Sequence, residues 1–169
     1  MDNIAQALAG AREYLNAHPD EARYTDSAAV ATVDQGLLVR VRGTGGEELT
    51  TDMPVSVGGT GSAPSPGWFL RAAEAACMAS LLVMRAAQLG VEMGSVEISV
   101  DSVSDDRGIL GLDESVPAGP ESTRVAVRFS GSPEAHQKLQ DLAQWALAHC
   151  PVTDAVRRAV PIDLEVTPD

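Results

Sequence analysis

Aromatic side chains are scarce in this chain of 169 residues. Phenylalanine, tyrosine and tryptophan make up 4% of the sequence, although hydrophobic residues make up 44%. A core of the expected size must therefore be built from alanine, valine and leucine, which favours closely packed helices. The length suits one domain, or one domain with a small appendage.

Positive charge is also scarce. Twelve basic residues stand against 24 acidic ones, the net charge is −12, and Lys138 is the only lysine. This balance argues against nucleic acid and against an anionic membrane as partners. The start, Met1-Asp2-Asn3, lacks the basic region and apolar run of a signal peptide, so a cytoplasmic location is expected.

Residues that bind metals are few and badly spaced for a metal site. The chain has two cysteines and three histidines, with no CxxC or HxxxH spacing. We therefore expect no resident metal and no cofactor. Glycine is concentrated in Gly58–Ser62, but no lysine follows as in a phosphate-binding loop, so this run is interpreted as a flexible approach to the next element.

One long apolar stretch dominates the chain, and it predicts a helix over 66–89. Ser65 suits the N-cap, Pro66 the first helical position and Gly90 the left-handed residue after the helix. The helix is apolar on nearly every side, which is typical of a membrane span or of the buried centre of an assembly.

Ionisable residues within that stretch favour the second interpretation. Arg71, Glu74 and Arg85 would be costly inside a bilayer. A helix apolar all round is difficult to bury in so small a domain, so we expect an intimate homodimer in which other protein encloses it.

The remaining pattern alternates strands with helices and indicates an α+β fold with mostly antiparallel sheets. A long loop is expected over 104–122. Helices are predicted over 3–17, from Ser132, and from 151 to about 159, and strands over 29–33, 37–42, 48–52, 96–101, 124–129 and 161–166.

The two cysteines differ in their predicted surroundings. Cys77 lies in the middle of the long helix, whereas Cys150 precedes Pro151 at a predicted helix start. Unpaired N–H groups and the helix dipole favour an anion at that start, so the pKa of Cys150 should be lowered. The alternative is that both thiols are small, inert, buried hydrophobes.

The cysteine motifs resemble those of a known family. The run from Pro64 to Cys77 is similar to the central-helix signature of the OsmC/Ohr family, and Cys150-Pro151-Val152 resembles its second cysteine motif. The resemblance covers about 27–166. It implies an α+β OsmC-like fold and an interlocked homodimer, with long buried central helices enclosed by mostly antiparallel sheets.

Under this resemblance, residues 1–26 would be an N-terminal helical extension and 27–169 the OsmC-like domain. Family members of known activity are thiol-dependent peroxidases that reduce organic hydroperoxides. The resemblance implies that Cys77 becomes a sulfenic acid and that Cys150 resolves it as a disulfide. A dithiol reductant would then be the second partner.

The sequence departs from the family where a glutamate is expected at the start of the central helix, because Gly67 and Trp68 stand there. Glu74 is a candidate substitute, one helical turn before Cys77. Arg71 could pair with it beside the thiol, or the two could form an ordinary intrahelical ion pair.

The family also supplies an arginine from its N-terminal sheet. Arg40 is the candidate here, with Arg42 on the same strand face; a solvated strand face is the alternative for both. The lost glutamate and the large ring of Trp68 favour an alternative function. This is a non-catalytic OsmC-like dimer that binds a small hydrophobic ligand at the subunit interface. An OsmC-like fold with inert thiols is the third hypothesis.

Overall fold

The computed structural model describes residues 1–130 and 136–168. It confirms a mixed α+β fold with antiparallel sheets. Its helices are α1 (Asp2–Ala17), α2 (Pro66–Leu89), α3 (Asp106–Ile109), α4 (His136–His149) and α5 (Pro151–Arg157), and its strands are β1 (Ala29–Gln35), β2 (Leu38–Gly43), β3 (Glu48–Thr51), β4 (Val96–Val103) and β5 (Ser122–Phe129). Short 3-10 turns cover Pro19–Ala22 and Val55–Val57. The predicted helix start at Ser132 lies outside the described residues.

The strands form two antiparallel sheets. One sheet has the order β1-β2-β3 and the other pairs β4 with β5. In the first sheet Ala31 lies opposite Val41, and Val33 lies opposite Val39. Residues opposite each other share a face, so this sheet has one apolar face. The predicted meander of short strands is confirmed.

The long helix α2 has the predicted bounds. The Ser65 hydroxyl accepts a hydrogen bond from the Trp68 N–H at 3.2 Å, and Pro66 occupies the first helical position. Gly90 ends the helix with φ 62°, a conformation that glycine adopts without strain.

The core forms where α2 packs on α4 and on the β4–β5 sheet. Its fully buried members are small or aliphatic, as the shortage of aromatics predicts: Met78, Leu82, Ala86, Leu139, Leu142, Ala146 and Cys150. Each buried leucine or methionine contributes about 2 kcal/mol. Partly buried side chains of both strands cover the cluster from the sheet side.

The other sides of α2 are incompletely covered by its own chain. Trp68 is 48% exposed and Leu89 is 54% exposed. The helix is long and apolar enough for a membrane span, with a mean hydropathy of 1.3. It nevertheless carries the buried carboxylate of Glu74 and packs against α4, as the core helix of a globular protein does.

The prediction of a closing strand over 161–166 is wrong for the protomer. These residues form no ladder with any described strand, and Ile162 and Leu164 are 90% and 88% exposed. The alternation of apolar and acidic residues shows which side chains share a face, but a strand also requires a neighbouring edge. The predicted loop over 104–122 contains the short helix α3.

The glycine-rich approach to α2 is fixed by Asp52 and is not the flexible segment that was expected. Asp52 is 2% exposed, and its carboxylate accepts bonds from the amides of Met53, Thr60 and Ser62 and from two hydroxyls. The Thr60 hydroxyl is the largest cause of a pKa well below the usual range of a carboxyl. A Cβ on Gly59 would lie 1.8 Å from the Met53 carbonyl oxygen. The loop therefore holds the start of α2 in place.

Candidate functional site

The two cysteines meet at the start of α5. Cys77 comes from the middle of α2, and its thiol lies close enough to Cys150 and to the Val152 N–H for both to shift its pKa. Both thiols are free. The pairing follows from packing, because α2 contacts both α4 and α5 and Cys150 lies at the junction of those two helices.

Cys150 is the N-cap of α5, as its position before Pro151 predicts. Its backbone is extended, and its sulfur accepts a hydrogen bond from the Thr153 N–H at 3.4 Å. The N-terminal amides of a helix have no intrahelical acceptor, so a sulfur in this position serves as one.

The surroundings of Cys150 favour its thiolate. Burial alone raises the pKa of Cys150, but the Thr153 N–H donates to the sulfur, and the nearby Thr153 side chain, Cys77 and the Val152 amide also lower this pKa. Together these groups hold the pKa of Cys150 below the usual value of a cysteine. Although this thiol is acidic, solvent does not reach it, since Cys150 is 0% exposed.

Cys77 is more accessible than Cys150, but its thiol is less acidic. It is only partly buried, but burial raises the pKa of its thiol, and the neighbouring Cys150 raises it further. No cationic side chain is among the groups that shift this pKa. Of the two thiols, Cys150 is therefore the more acidic and Cys77 the less acidic.

Behind Cys150 lies a buried pair that the sequence analysis did not identify. The Thr153 hydroxyl donates to the Glu74 Oε1 at 3.1 Å, and the two side chains belong to residues that are 4% and 3% exposed. Thr153 stands three residues after the N-cap, the position whose side chain commonly faces back to the cap. That spacing is the available signal for Thr153, whereas its contact with Glu74 depends on the packing of α5 on α2.

The structure does not bring the candidate arginines to the thiols. Arg71 donates to the Ser102 hydroxyl at 3.3 Å and forms no ion pair with Glu74. Arg40 lies in the first sheet, where its guanidinium is 2.8 Å from the Asp34 carboxylate.

A cavity of about 480 Å³ lies beside the N-terminal half of α2. Its lining mixes apolar and charged groups, among them Leu70, Arg71, Glu74, Asp105, Ile109 and Val156. A second opening of similar volume is lined by Glu74 and Thr153, among others. Trp68 lies outside both linings, with its ring 5.1 Å from that of Phe69. In residues 1–130 and 136–168 no cluster of three histidine, cysteine or carboxylate side chains could hold a metal ion.

Comparison with known proteins gives one family match. The family model described as OsmC-like protein matches residues 59–165, a range that includes both cysteines and Glu74. A comparison with curated protein sequences gives no match.

Solved structures share the fold. An organic hydroperoxide resistance protein from Elizabethkingia anophelis superposes with a TM-score of 0.64 at 20% identity, over 80% of this chain and 90% of its own. An organic hydroperoxide resistance protein OsmC from Legionella pneumophila superposes with a TM-score of 0.60 at 21% identity, over 80% of this chain and 91% of its own. An OsmC-like protein of unknown function from Vibrio cholerae superposes with a TM-score of 0.61 at 14% identity, over 78% of this chain and 94% of its own.

Proposed function

Because this chain belongs to the OsmC-like protein family, we propose that it is a thiol-dependent peroxidase that reduces organic hydroperoxides through Cys77 and Cys150. The observation that carries the proposal is the proximity of the two thiols at the start of α5, where Cys77 packs against the buried cluster that contains Cys150 and each thiol shifts the pKa of the other. Two of the structural neighbours carry organic hydroperoxide resistance in their names, which supports the substrate class.

The difference between the thiols suggests their roles. Cys77 is the more accessible sulfur, so its thiolate attacks the O–O bond of ROOH. This step forms a Cys77 sulfenic acid and releases the alkoxide, which takes a proton and leaves as ROH. The Cys150 thiolate then attacks the sulfenic sulfur, a disulfide forms, and hydroxide leaves and becomes water. A dithiol reductant supplies the two electrons that reopen the disulfide.

Cys77 must lose its proton before it attacks, since the thiolate is the nucleophile. The Cys150 sulfur lies beside the Cys77 thiol and is the more acidic of the two, so its thiolate can accept that proton and pass it to the departing alkoxide. The resemblance implies that an arginine of the N-terminal sheet supplies the positive charge that stabilises the Cys77 thiolate. Arg40 is bound to Asp34 within its own protomer, so this role would require the sheet of a second copy.

An interlocked homodimer is part of the proposal. The incompletely covered sides of α2 and the unpaired segment 161–166 expose apolar side chains that a second copy would cover. The expected particle has twice the protomer mass of 17.6 kDa. The acidic charge agrees with a cytoplasmic protein that uses neither nucleic acid nor membrane as a partner.

A turnover assay tests the proposal. Full-length protein with excess dithiol reductant should consume cumene hydroperoxide and release its alcohol. Cys77→Ser should abolish this turnover, and Cys150→Ser should leave a sulfenic acid that a dimedone probe traps. Ser80→Ala, on an exposed position of α2, is the matched control and should turn over like wild type. Wild-type thiols that survive excess peroxide would refute the peroxidase.

The cavity beside α2 supports the second candidate, a non-catalytic dimer that binds a small hydrophobic ligand. Its apolar lining by Leu70, Ile109 and Val156 suits such a ligand. Native mass spectrometry of the purified protein tests this function. A co-purified small molecule that Val156→Trp displaces would support it, and a mass equal to that of the bare protein would count against it.

A further inference from the structure

A buried hydrogen bond between side chains joins the start of α5 to α2. The Thr153 hydroxyl donates to the Glu74 Oε1 at 3.1 Å, and the two residues are 4% and 3% exposed. In such surroundings a hydrogen bond to a carboxylate is stronger than in water, and a carboxylate left without its donor is costly. The Glu74–Thr153 bond therefore resists separation of the two helices at this point.

Each end of this bond lies next to one of the two cysteines. Glu74 precedes Cys77 by three residues on α2, so the two side chains are neighbours on the surface of that helix. At the other end, the Thr153 N–H donates to the Cys150 sulfur at 3.4 Å. Thr153 thus holds α2 with its side chain and the sulfur with its backbone. The bond fixes where the Cys150 sulfur lies relative to the helix that carries Cys77.

Few other side chains of α5 hold it in place within the protomer. Thr153 is the single buried residue of Pro151–Arg157. Val152 is partly buried against the core, and the remaining side chains of the helix are exposed. Seven residues are also too few for a helix that is stable by itself. The position of this helix therefore depends strongly on the bond that Thr153 makes.

We propose that Glu74 and Thr153 are positioning residues for the resolving step, because their bond keeps the Cys150 sulfur within reach of the Cys77 sulfenic acid. The consequence for turnover rests on the proposed function. Without the bond, the start of α5 leaves α2 more often, and the sulfenic acid survives long enough to meet a second ROOH. That molecule oxidises the Cys77 sulfur to a sulfinic acid and is itself reduced to ROH.

The experiment measures disulfide formation without any peroxide. Full-length protein is equilibrated with mixtures of reduced and oxidised glutathione, quenched with acid and alkylated, and mass spectrometry gives the fraction with a Cys77–Cys150 disulfide. The Cys77 thiolate attacks oxidised glutathione and releases one glutathione thiolate, and the Cys150 thiolate then displaces the second. One glutathione disulfide is therefore reduced for each protein disulfide formed.

Thr153→Val keeps the shape of the side chain and removes the hydroxyl, so the equilibrium constant for the protein disulfide should fall about tenfold. Thr153→Ser keeps the hydroxyl and should restore the wild-type constant. Circular dichroism checks folding. Where the valine variant does not fold, Glu74→Leu combined with Thr153→Val removes both partners and leaves no unpaired group, and it should show the same fall.

Thr60→Val is the matched control. The Thr60 hydroxyl also donates to a buried carboxylate, that of Asp52, at 2.6 Å, but it does so in the loop that precedes α2. Its loss should lower stability and leave the disulfide constant unchanged, since it does not move α5. This control separates positioning of the sulfur from a general loss of stability.

A wild-type constant in the valine variant or in the double variant would overturn the proposal, and so would an equal fall in Thr60→Val. With excess cumene hydroperoxide and reductant, Thr153→Val should also accumulate Cys77 sulfinic acid about tenfold faster than wild type. Failure of the peroxidase assay would leave the glutathione equilibrium unaffected, so the two proposals fail separately.

Discussion

The N-terminal sheet and the region around α2 differ sharply in how much they bury. Every residue of β1 is exposed, whereas Leu82 and Ala146 at the contact of α2 with α4 are 0% exposed. One protomer therefore builds its core almost entirely from residues after Pro66. The sheet keeps an apolar face with Val33 and Val39 on it, and within residues 1–130 and 136–168 Val33 stays 64% exposed.

This difference also bears on the thiols. The arginines of the sheet are paired with carboxylates of the same sheet, and among the described residues no cation is one of the groups that shift the pKa of either cysteine. Within a protomer, hydrogen bonds from the start of α5 are what shift the acidity of Cys150. In the proposed dimer, an arginine from the sheet of the second copy would be a candidate cation for Cys77.

The largest expected effect is in the core. Leu82→Ala should lower the free energy of unfolding by about 4 kcal/mol, because it removes a fully buried side chain and leaves a cavity. Leu112→Ala is the matched control, since Leu112 is 71% exposed, and it should change stability by less than about 0.5 kcal/mol. Urea denaturation measures both. Similar losses of unfolding free energy for the two variants would show that Leu112 is covered in solution. The contrast in burial between the two positions would then be removed.

The second effect concerns the exposed apolar face of the sheet. Val33→Asp should weaken self-association by roughly a hundredfold, because it places an unpaired charge on the face that the proposed second copy would cover. Thr32→Asp, on the opposite face beside Arg40, should leave association unchanged. Light scattering over a dilution series measures both. A wild-type monomer at micromolar concentration would contradict the dimer itself.

The smallest effect concerns the loop that links the two regions. Asp52→Asn should lower the Tm at neutral pH by about 5 °C, since the amide cannot accept all the bonds made to the carboxylate. The pKa of Asp52 is depressed by folding, so its contribution is present above the unfolded pKa of about 3.9 and is lost as pH falls below it. Calorimetry at neutral and acidic pH should therefore show that the difference in Tm between wild type and Asp52→Asn, the Tm gap, narrows at acidic pH. A Tm gap of the same size at both pH values would exclude the ionised Asp52 carboxylate as its cause.

Local signals in the sequence were sufficient for much of the fold. Ser65, Pro66 and Gly90 determine the bounds of α2 by capping chemistry that involves only neighbouring residues. The segment 161–166 shows the limit of such signals, because alternation does not reveal whether a sheet edge is available to pair with it. Asp52 shows another limit, since its bonds to Thr60 and Ser62 convert a glycine-rich run into a fixed loop.

The site was predictable to a similar extent. The motifs indicated both cysteines, and the helix start at Pro151 indicated the lowered pKa of Cys150. Glu74 was selected for its spacing from Cys77, but its partner is Thr153, far along the chain. That contact arises from the packing of α5 on α2, which no local pattern encodes.

The most direct test of the account is the fate of the two sulfurs after one equivalent of cumene hydroperoxide. We expect peptide mapping of the non-reduced protein to find a single crosslink between Cys77 and Cys150 of the same chain, with one alcohol formed for each disulfide. Cys77 oxidised while Cys150 remains a free thiol, or both thiols left intact, would contradict the redox pair.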